Sequence, residues 1–558
     1  MIKLSMLLIK NFSNLFCYLR LGYKTILIFI LINHFFLKSQ IYYQADPYNL
    51  LKYEKDSYKN NDLISPLILR PSFLSIEGNA NSRWEIIARG EYFENSGAPN
   101  LENSGSRWIG KGISNYRSFR FGYVSKLLIF TIEPYRFNNE NLQYSIPIRK
   151  GIYSRMNDNQ PHGDSTVVFS GINEFQLFLH YSGLGIGISN ANMWWGPGMH
   201  SSLQMSNNTS GFRYFTFGTI GEKKIRKFGF DIRYIFSPMD DKNIGKPYFS
   251  SLLFSTTFYS NPQFTFGFSR SYLSGHGTAK PTNWSYISLK DAMMLPFGDL
   301  FLSEKQKDPD NPESAVDLWD EILVGYLIAS FPRSGLKIYV EYGRDDHAWD
   351  WDDFSRQPDH SGASIIGLRK YGLFGNSNLV GGLEYISLIK SKFWTKRVPG
   401  TWYSKEVYDY NSYNGRWWGA HSGPDSDDFF IYFGYMGENF SIIPAFNYER
   451  HGVIDNTALI FEERPFLVYD PEKGRWVQIM RKQWRERQVN IWPEVKFEYR
   501  LEIKFKIKKF NFNFYYEDEF VDNLEFNWGE RKTNLWWFGI ERMIQSEDLK
   551  FISKRLEK

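Results

Sequence analysis

The stretch of this chain best suited to ligand binding is residues 192–208, with the sequence NMWWGPGMHSSLQMSNN. Its two tryptophans supply flat apolar faces of the kind on which sugar rings stack. The Gly-Pro-Gly turn is tight and irregular, and the hydroxyl and amide side chains after it can pair with sugar hydroxyls. We therefore predict carbohydrate contacts from Trp194, Trp195, His200, Ser201, Asn207 and Asn208. The alternative is a loop that folds inward as a plug with the tryptophans as its core, and the two roles are compatible.

A second candidate region is the acidic stretch at residues 339–354, YVEYGRDDHAWDWDDF. Paired carboxylates beside tryptophans are typical of glycoside hydrolases. Dense carboxylates also bind Ca²⁺, although this spacing is not that of an EF-hand loop. A solvated loop, balanced in charge by Arg344, Arg356 and Arg369, is the simpler interpretation. We predict such a loop without a catalytic residue or a metal ion, and with sugar contacts from Asp345, Asp346, His347, Trp349, Trp351 and Asp352.

A third aromatic stretch, residues 394–428, contains Trp417 and Trp418, which we add to the predicted sugar contacts. These tryptophans could instead anchor the rim of a membrane protein at the level of the lipid headgroups. We find no nucleophile elbow, P-loop or dinucleotide-binding fingerprint anywhere in the sequence. We therefore expect a binding protein that uses no cofactor, rather than an enzyme.

The elements that would position these stretches are amphipathic strands. In residues 499–507, apolar side chains alternate with Arg500, Glu502, Lys504 and Lys506, so that one face suits hydrocarbon and the other suits water. The same period of two recurs at residues 119–123, 230–236, 264–268 and 336–342. Each segment has about the nine to eleven residues that a tilted membrane-spanning strand needs.

The connections between these segments are short and long in turn. Short ones fall near residues 125, 183, 222, 261, 333, 375, 438 and 508. Long ones fall near residues 92–115, 136–172, 191–211, 237–250, 273–319, 344–361, 391–427, 450–492 and 518–532. With about 18 segments, this pattern predicts an all-β, antiparallel, up-and-down transmembrane barrel with every long loop on one rim.

The composition is consistent with a barrel in the outer membrane of a Gram-negative bacterium. Aromatic residues make up 18% of the chain, yet the mean hydropathy is −0.42, as expected where lipid-facing and lumen-facing residues alternate. A net charge of +5 does not indicate a nucleic-acid partner. Cys17 is the only cysteine, so a chain cleaved after it has no disulfide and no thiol nucleophile.

The N-terminal residues resemble an export signal. The apolar stretch at residues 25–37 follows Arg20 and Lys24 and has the length of a signal-peptide core, although an uncleaved anchor is the alternative. We predict a signal peptide over residues 1–39, a periplasmic segment over 40–80, the barrel over 81–540 and a tail over 541–558. We expect a monomer in contact with outer-membrane lipid.

Two of these stretches resemble the Wzi-type capsule assembly family. WWGPG followed by HSSLQMSNN is similar to that family's motif, and the acidic stretch at 339–354 resembles its acidic segment. The resemblance implies an eighteen-stranded barrel whose lumen is occluded by loops and short helices. It also implies a lectin-like, non-enzymatic role in retaining capsular or extracellular polysaccharide at the cell surface. The chain end, LKFISKRLEK, departs from the terminal aromatic strand expected of such barrels.

Two other functions stay open at this level. The carboxylate stretch would suit a barrel enzyme that acts on surface glycan or lipid. A diffusion channel for small solutes would need an open lumen, whereas the bulky inserts near residues 194 and 351 favour an occluded one.

Overall fold

A closed antiparallel β-barrel dominates the computed structural model, which describes residues 40–43, 46–60, 64–75, 82–158, 165–241, 245–276, 287–298, 319–345, 351–394, 400–403, 409, 411–455, 459–486 and 492–545. Over these residues eighteen strands form the barrel, and the last strand closes it by pairing with the first. Closure leaves no sheet edge, so every strand can satisfy its backbone groups within hydrocarbon. The predicted fold class and the strand count are confirmed.

The barrel strands follow one another around the wall in chain order. They are β1 Ser82–Asn95, β2 Gly112–Ser125, β3 Leu128–Asn139, β4 Val167–Tyr181, β5 Leu184–Ser189, β6 Tyr214–Thr219 with its continuation Lys223–Ile225, β7 Phe228–Pro238, β8 Lys246–Phe258, β9 Gln263–His276, β10 Trp319–Phe331, β11 Leu336–Asp345, β12 Gly362–Tyr371, β13 Leu379–Ser387, β14 Ser426–Met436, β15 Phe440–His451, β16 Glu494–Ile507, β17 Phe510–Leu524 and β18 Gly529–Gln545. The barrel therefore begins one residue after the predicted start and ends five residues after the predicted end, inside the expected tail.

The alternation within the strands separates a lipid face from a lumen face. On β9, Phe266 is 54% exposed on the outside of the wall, whereas Thr265 beside it is buried. On β16, Lys504 points inward and lies 3.2 Å from the centre of the Tyr48 ring, while Tyr499 is on the outer face. The facing predicted for β16 is confirmed, because its charged side chains contact lumen residues.

The connections are arranged largely as predicted. The eight predicted tight turns lie on one rim, which we call the tight-turn rim, and the opposite rim is the long-loop rim. Two predicted long loops are wrong. Only residues 239–245 join β7 to β8, and only residues 525–528 join β17 to β18, because these strands extend farther than their alternation indicated. Another contains structure of its own, since Leu459–Asp470 and Arg475–Glu486 form a β-hairpin between β15 and β16.

Short elements outside the barrel wall complete the fold. The helices are α1 Pro47–Lys59, α2 Leu289–Met294 and α3 Trp351–Arg356. Gln40–Tyr43 pairs with Ser72–Ser75, Leu69–Arg70 with Trp194–Trp195, Ser412–Tyr413 with Arg416–Trp417, and Phe393–Trp394 with the first strand of the hairpin. Among the described residues, no helix is long and apolar enough to cross a bilayer. The predicted signal peptide lies outside the described residues.

The lipid exposure of Phe266 gives a direct test of the barrel. We expect Phe266→Arg to lower the free energy of unfolding in lipid vesicles, because a lipid-facing charge costs roughly 2–4 kcal/mol at the membrane midplane and less near an interface. Phe266→Leu is the control and should change this free energy little. Urea titration of the folded vesicle samples measures both variants, and an arginine as harmless as leucine would contradict the assignment of this face to lipid.

Candidate functional site

Two loops of the long-loop rim fold into the lumen and pack together as a plug. We define the plug as the described residues of 190–213 and 400–425. Its apolar core combines Trp195, Leu203 and Met205 of the first loop with Trp402 and Trp417 of the second. Wall side chains including Phe249, Val324 and Ile365 belong to the same buried cluster. Truncating a large aromatic side chain in such a core typically costs about 3–5 kcal/mol of stability.

The four tryptophans predicted to stack on sugar lie inside the plug. Trp194, Trp195, Trp417 and Trp418 have at most 2% of their surface exposed. In this arrangement the rings offer no face to a sugar, which corrects the predicted stacking for all four residues. The alternative drawn from the sequence, an inward-folded plug with the tryptophans as its core, describes what these side chains do.

The polar residues of the WWGPG stretch serve the same packing. Two buried carboxylates of the barrel wall accept hydrogen bonds from the backbone of the turn. Glu341 on β11 accepts from the N–H groups of Gly198 and Leu203, each at 3.2 Å. Glu384 on β13 accepts from the N–H of Ser201 at 2.8 Å. Glu341 belongs to the acidic stretch singled out from the sequence, so part of that stretch holds the plug rather than a ligand.

The glycines of this turn are required by the approach of the wall. Gly196 has a φ of 109°, and a Cβ added to it would collide with the carboxylate of Glu341. Arg70 donates to the carbonyl oxygens of Gly196 and Gly198 at 3.3 Å, and Arg369 donates to that of Pro197 at 2.8 Å. Burial, reinforced by Arg369, lowers the pKa of Arg70 to about 9.

The remaining predicted contacts are divided between the plug and its surroundings. His200, Ser201 and Asn208 are buried, and the Asn208 amide donates to the carbonyl oxygen of Trp417 at 3.0 Å. Asn207 lines a cavity described below. Asp345 ends β11 in a buried position.

The other residues predicted from the acidic stretch are only partly covered by the structure. Asp346, His347 and Trp349 lie outside the described residues. Trp351 and Asp352 begin α3, a short helix that ends at Arg356 on the long-loop rim. Their predicted contacts with sugar therefore stay predictions.

The segment predicted to be periplasmic packs into the barrel mouth at the tight-turn rim through α1. Its Glu54 is fully buried, with Lys337 Nζ at 2.6 Å, Arg369 Nε at 2.9 Å and the Tyr371 hydroxyl in hydrogen-bond contact. Burial opposes ionisation of this carboxyl, but Arg369 and Lys337 outweigh it and lower the pKa of Glu54 from 4.5 to about 2. The helix is thereby fixed to the wall by a buried ion pair.

A charged cavity of about 740 Å³ lies between α1 and the wall formed by β1–β3 and β16–β18. At the tight-turn rim it borders the turn at Gly437, Glu438 and Asn439, and at its other end it borders Asn192 and Asn207 of the plug. Three of its arginines are paired with glutamates: Arg89 with Glu133, Arg107 with Glu91 and Arg120 with Glu85. The loop at residues 96–111 covers the plug end, where the N–H of Gly105 donates to the carbonyl oxygen of Asn207 at 2.8 Å.

A surface that the sequence analysis missed is one face of the hairpin between β15 and β16. Directly paired residues share a face, so the register places Tyr469 beside Trp476 and Leu467 beside Gln478. We call this side the aromatic face, defined by Leu467, Tyr469, Trp476, Met480 and Trp484. All five side chains are exposed, and Trp476 is the most exposed of its aromatic residues at 65%. Apolar residues alternate with polar ones in this part of the sequence, which is a signal for strands, but the pattern of connections predicts only a long loop there.

Comparison with solved structures places this architecture among outer-membrane β-barrels. The structure is similar to Wzi of Escherichia coli, described as a carbohydrate-binding β-barrel of the outer membrane involved in group 1 capsule assembly. The TM-score is 0.53 at 10% identity, over 90% of this chain and 99% of that one. The chain matches no protein-family model and no curated protein sequence.

Outer-membrane barrels of another kind also match, with lower scores. OccAB4 of Acinetobacter baumannii gives a TM-score of 0.37 at 10% identity, over 84% of this chain and 98% of that one. OpdQ of Pseudomonas aeruginosa gives 0.38 at 7% identity, over 84% and 100%. The closed eighteen-stranded wall and the likeness to Wzi show the fold of an outer-membrane β-barrel, and the predicted localisation in the outer membrane of a Gram-negative bacterium is confirmed.

The ion pair of Glu54 predicts how α1 responds to mutation and to acid. We expect Glu54→Gln to release α1 from the wall, because it leaves Arg369 and Lys337 buried without their carboxylate, a change that typically costs about 3–5 kcal/mol. The folded-state pKa is depressed, so the contribution of Glu54 is present above pH 4.5 and is lost as the pH falls through about 2. Limited proteolysis of α1 across this range measures both effects.

Lys59→Gln, at the last residue of the same helix, is the matched control for this experiment. It should leave the protease resistance of α1 unchanged. Equal resistance of the Glu54→Gln variant and the unaltered protein at neutral pH would show that the ion pair does not hold the helix.

Proposed function

We propose that this protein is a non-enzymatic carbohydrate-binding protein that helps to retain or assemble capsular or extracellular polysaccharide at the cell surface. The observation that carries the proposal is the aromatic face of the hairpin, exposed on the long-loop rim. In outer-membrane barrels the long loops lie on the extracellular side, where such a polysaccharide would be met. The occluded lumen agrees with a role in binding at the surface.

The chemistry of the aromatic face suits a sugar chain. The Tyr469 and Trp476 rings lie edge to face, with centres 5.7 Å apart, and Trp484 extends the row along the same strand. Aromatic rings bury the apolar faces of sugars and leave the hydroxyl groups accessible. Gln478 and Lys482 are exposed on the same side and can donate hydrogen bonds to hydroxyl or carboxylate groups.

Membership of the Wzi-type family is part of this proposal. It is supported by the WWGPG and acidic stretches and by the architecture shared with Wzi. The structure gives the first stretch a physical role that does not require sugar contact, because its turn is bound by Glu341 and Glu384. The shared motif then supports a common plug, and the binding of polysaccharide is argued from the hairpin.

Substitution of the exposed tryptophans tests the binding surface. We expect Trp476→Ala and Trp484→Ala each to weaken polysaccharide binding by about tenfold or more, equivalent to ~1.4 kcal/mol, because aromatic side chains dominate such surfaces. Both variants should retain the heat-dependent gel migration of a folded barrel. Binding is measured on a glycan array and then by titration with the polysaccharide that the array identifies.

Phe374→Ala is the matched control, since Phe374 is an aromatic residue with 88% exposure on the opposite rim. It should bind as the unaltered protein does. Full binding by a double variant lacking both Trp476 and Trp484 would refute the assignment of the site to the hairpin.

A solute channel is the second candidate function, because the charged cavity reaches from the plug to the tight-turn rim. If the plug occludes the lumen permanently, the protein should show no steady conductance in planar lipid bilayers. A steady conductance whose ion selectivity changes in Arg89→Ala or Arg107→Ala would favour the channel. Lys473→Ala, on the exposed hairpin turn, is the matched loss of a positive charge away from the cavity.

A further inference from the structure

A group of metal-ligating side chains lies where the plug meets the wall of the barrel. It consists of His200 from the first plug loop, His421 from the second and Asp428 from β14. Oδ2 of Asp428 is 3.0 Å from Nε2 of His200 and 3.3 Å from Nε2 of His421. All three residues are at least 95% buried, and neither the plug packing nor the aromatic face uses their ligating atoms.

The facing atoms of this group are not satisfied by hydrogen bonds. Among the described atoms, none makes a hydrogen bond of acceptable geometry with Nε2 of His200, with Nε2 of His421 or with either carboxylate oxygen of Asp428. Buried polar atoms of native proteins nearly always have such partners, and the binding of an ion is one of the standard reasons for an exception. The facing atoms of these three side chains converge on one point and can therefore share a common partner.

The distances within the group fit a tetrahedral metal site. A tetrahedral ion with ligand bonds of about 2.0–2.1 Å, as for Zn²⁺, places its ligand atoms about 3.3 Å from one another. The two contacts of Asp428 Oδ2 match that spacing. The His200 and His421 rings are steeply inclined, at 79° with centres 4.6 Å apart, so both can direct Nε2 at one ion without clashing.

The charge around the group is compatible with a bound cation. In the part of the chain that the structure describes, the connected cluster contains three more carboxylates than fixed cations, namely Asp428, Glu102, Glu449, Glu498 and Glu517 against Lys496 and Arg500. A buried excess of negative charge must be balanced by bound protons or by a cation. A divalent ion at His421 would supply two of the three missing charges.

We propose that His200, His421 and Asp428 bind a Zn²⁺ ion, with Nε2 of each histidine and a carboxylate oxygen of the aspartate as ligands. Imidazole nitrogen and carboxylate oxygen are the ligands that zinc accepts in open, three-residue protein sites. The ion would link both plug loops to β14 and so fix the plug in the lumen.

An overlapping group, Glu102, His421 and Glu449, is the less suitable site. Its two carboxylates already bind a cation, because Lys496 Nζ contacts both and is 2.7 Å from Glu449 Oε2.

Arg500 lies 3.4 Å from Nδ1 of His200, too far for a strong hydrogen bond, and it already pairs with Glu102, Glu498 and Glu517. When Nε2 of His200 binds zinc, Nδ1 carries the proton and cannot accept a hydrogen bond from Arg500. Arg500 nevertheless keeps its ion pairs with the three glutamates.

The test uses the full-length purified protein in detergent after treatment with a chelator. Titration calorimetry with Zn²⁺ should show one ion bound per chain, and Mg²⁺ at the same concentration should show none. Co²⁺ should give the intense visible absorption of a tetrahedral site, which reports coordination in the unaltered protein even if variants fold poorly. The absence of Zn²⁺ binding, or an octahedral Co²⁺ spectrum, would overturn the proposal.

Variants then identify the ligands. His200→Gln and Asp428→Asn should each weaken Zn²⁺ binding by more than about 100-fold, the upper range seen for residues that merely support ligands. His451→Gln is the matched control, since His451 is a buried histidine of the same cluster that pairs with Glu449 at 3.0 Å but lies outside the proposed site. Zn²⁺ binding that survives His200→Gln and is lost in Glu449→Gln would assign the ion to the overlapping group and refute this one.

Discussion

The absence of water from the membrane interior is the constraint on which this structure depends. No backbone N–H or C=O group can be left without a partner in hydrocarbon, so a sheet in the membrane must close on itself. Here β18, the last of the eighteen strands, pairs with β1 and closes the wall. Every side chain then faces either lipid or lumen, which explains both the aromatic richness and the polar average of the sequence.

Closure of eighteen strands creates a wide lumen. The rest of the structure depends on how this lumen is filled. Its wall is polar, so it cannot be filled by apolar packing alone. The plug combines both means. A tryptophan core packs against an apolar patch of the wall, and wall carboxylates bind the backbone of the turn at Gly196. The same combination fixes α1, whose Glu54 forms a buried ion pair while Leu51 packs into an apolar cluster of the wall. The polysaccharide binding that we propose is therefore assigned to the exposed hairpin, outside the occluded lumen.

Much of the fold could be predicted from the sequence, because a strand with one face in lipid and one in water must alternate with a period of two. The lipid face of β16, the tight turns and the even strand number all follow from that local pattern. The failures lie where alternation continues beyond the membrane. β17 and β18 extend past their expected ends, and the hairpin at Leu459–Asp470 carries strand periodicity into a region expected to be a loop.

The candidate site was predicted only in part, because residue type does not determine whether a side chain is exposed. The sequence by itself determined that Trp194 and Trp195 lie in a special, glycine-containing turn, whereas only the tertiary structure decided that this turn folds inward and buries both rings. Likewise, no local sequence pattern relates His200 to His421 and Asp428, because each of these two residues is more than 200 residues from His200. Their proximity arises because barrel closure brings distant strands and loops around one lumen. Alternation is a property of neighbours along the chain, while burial and ligand geometry depend on what the closed wall encloses.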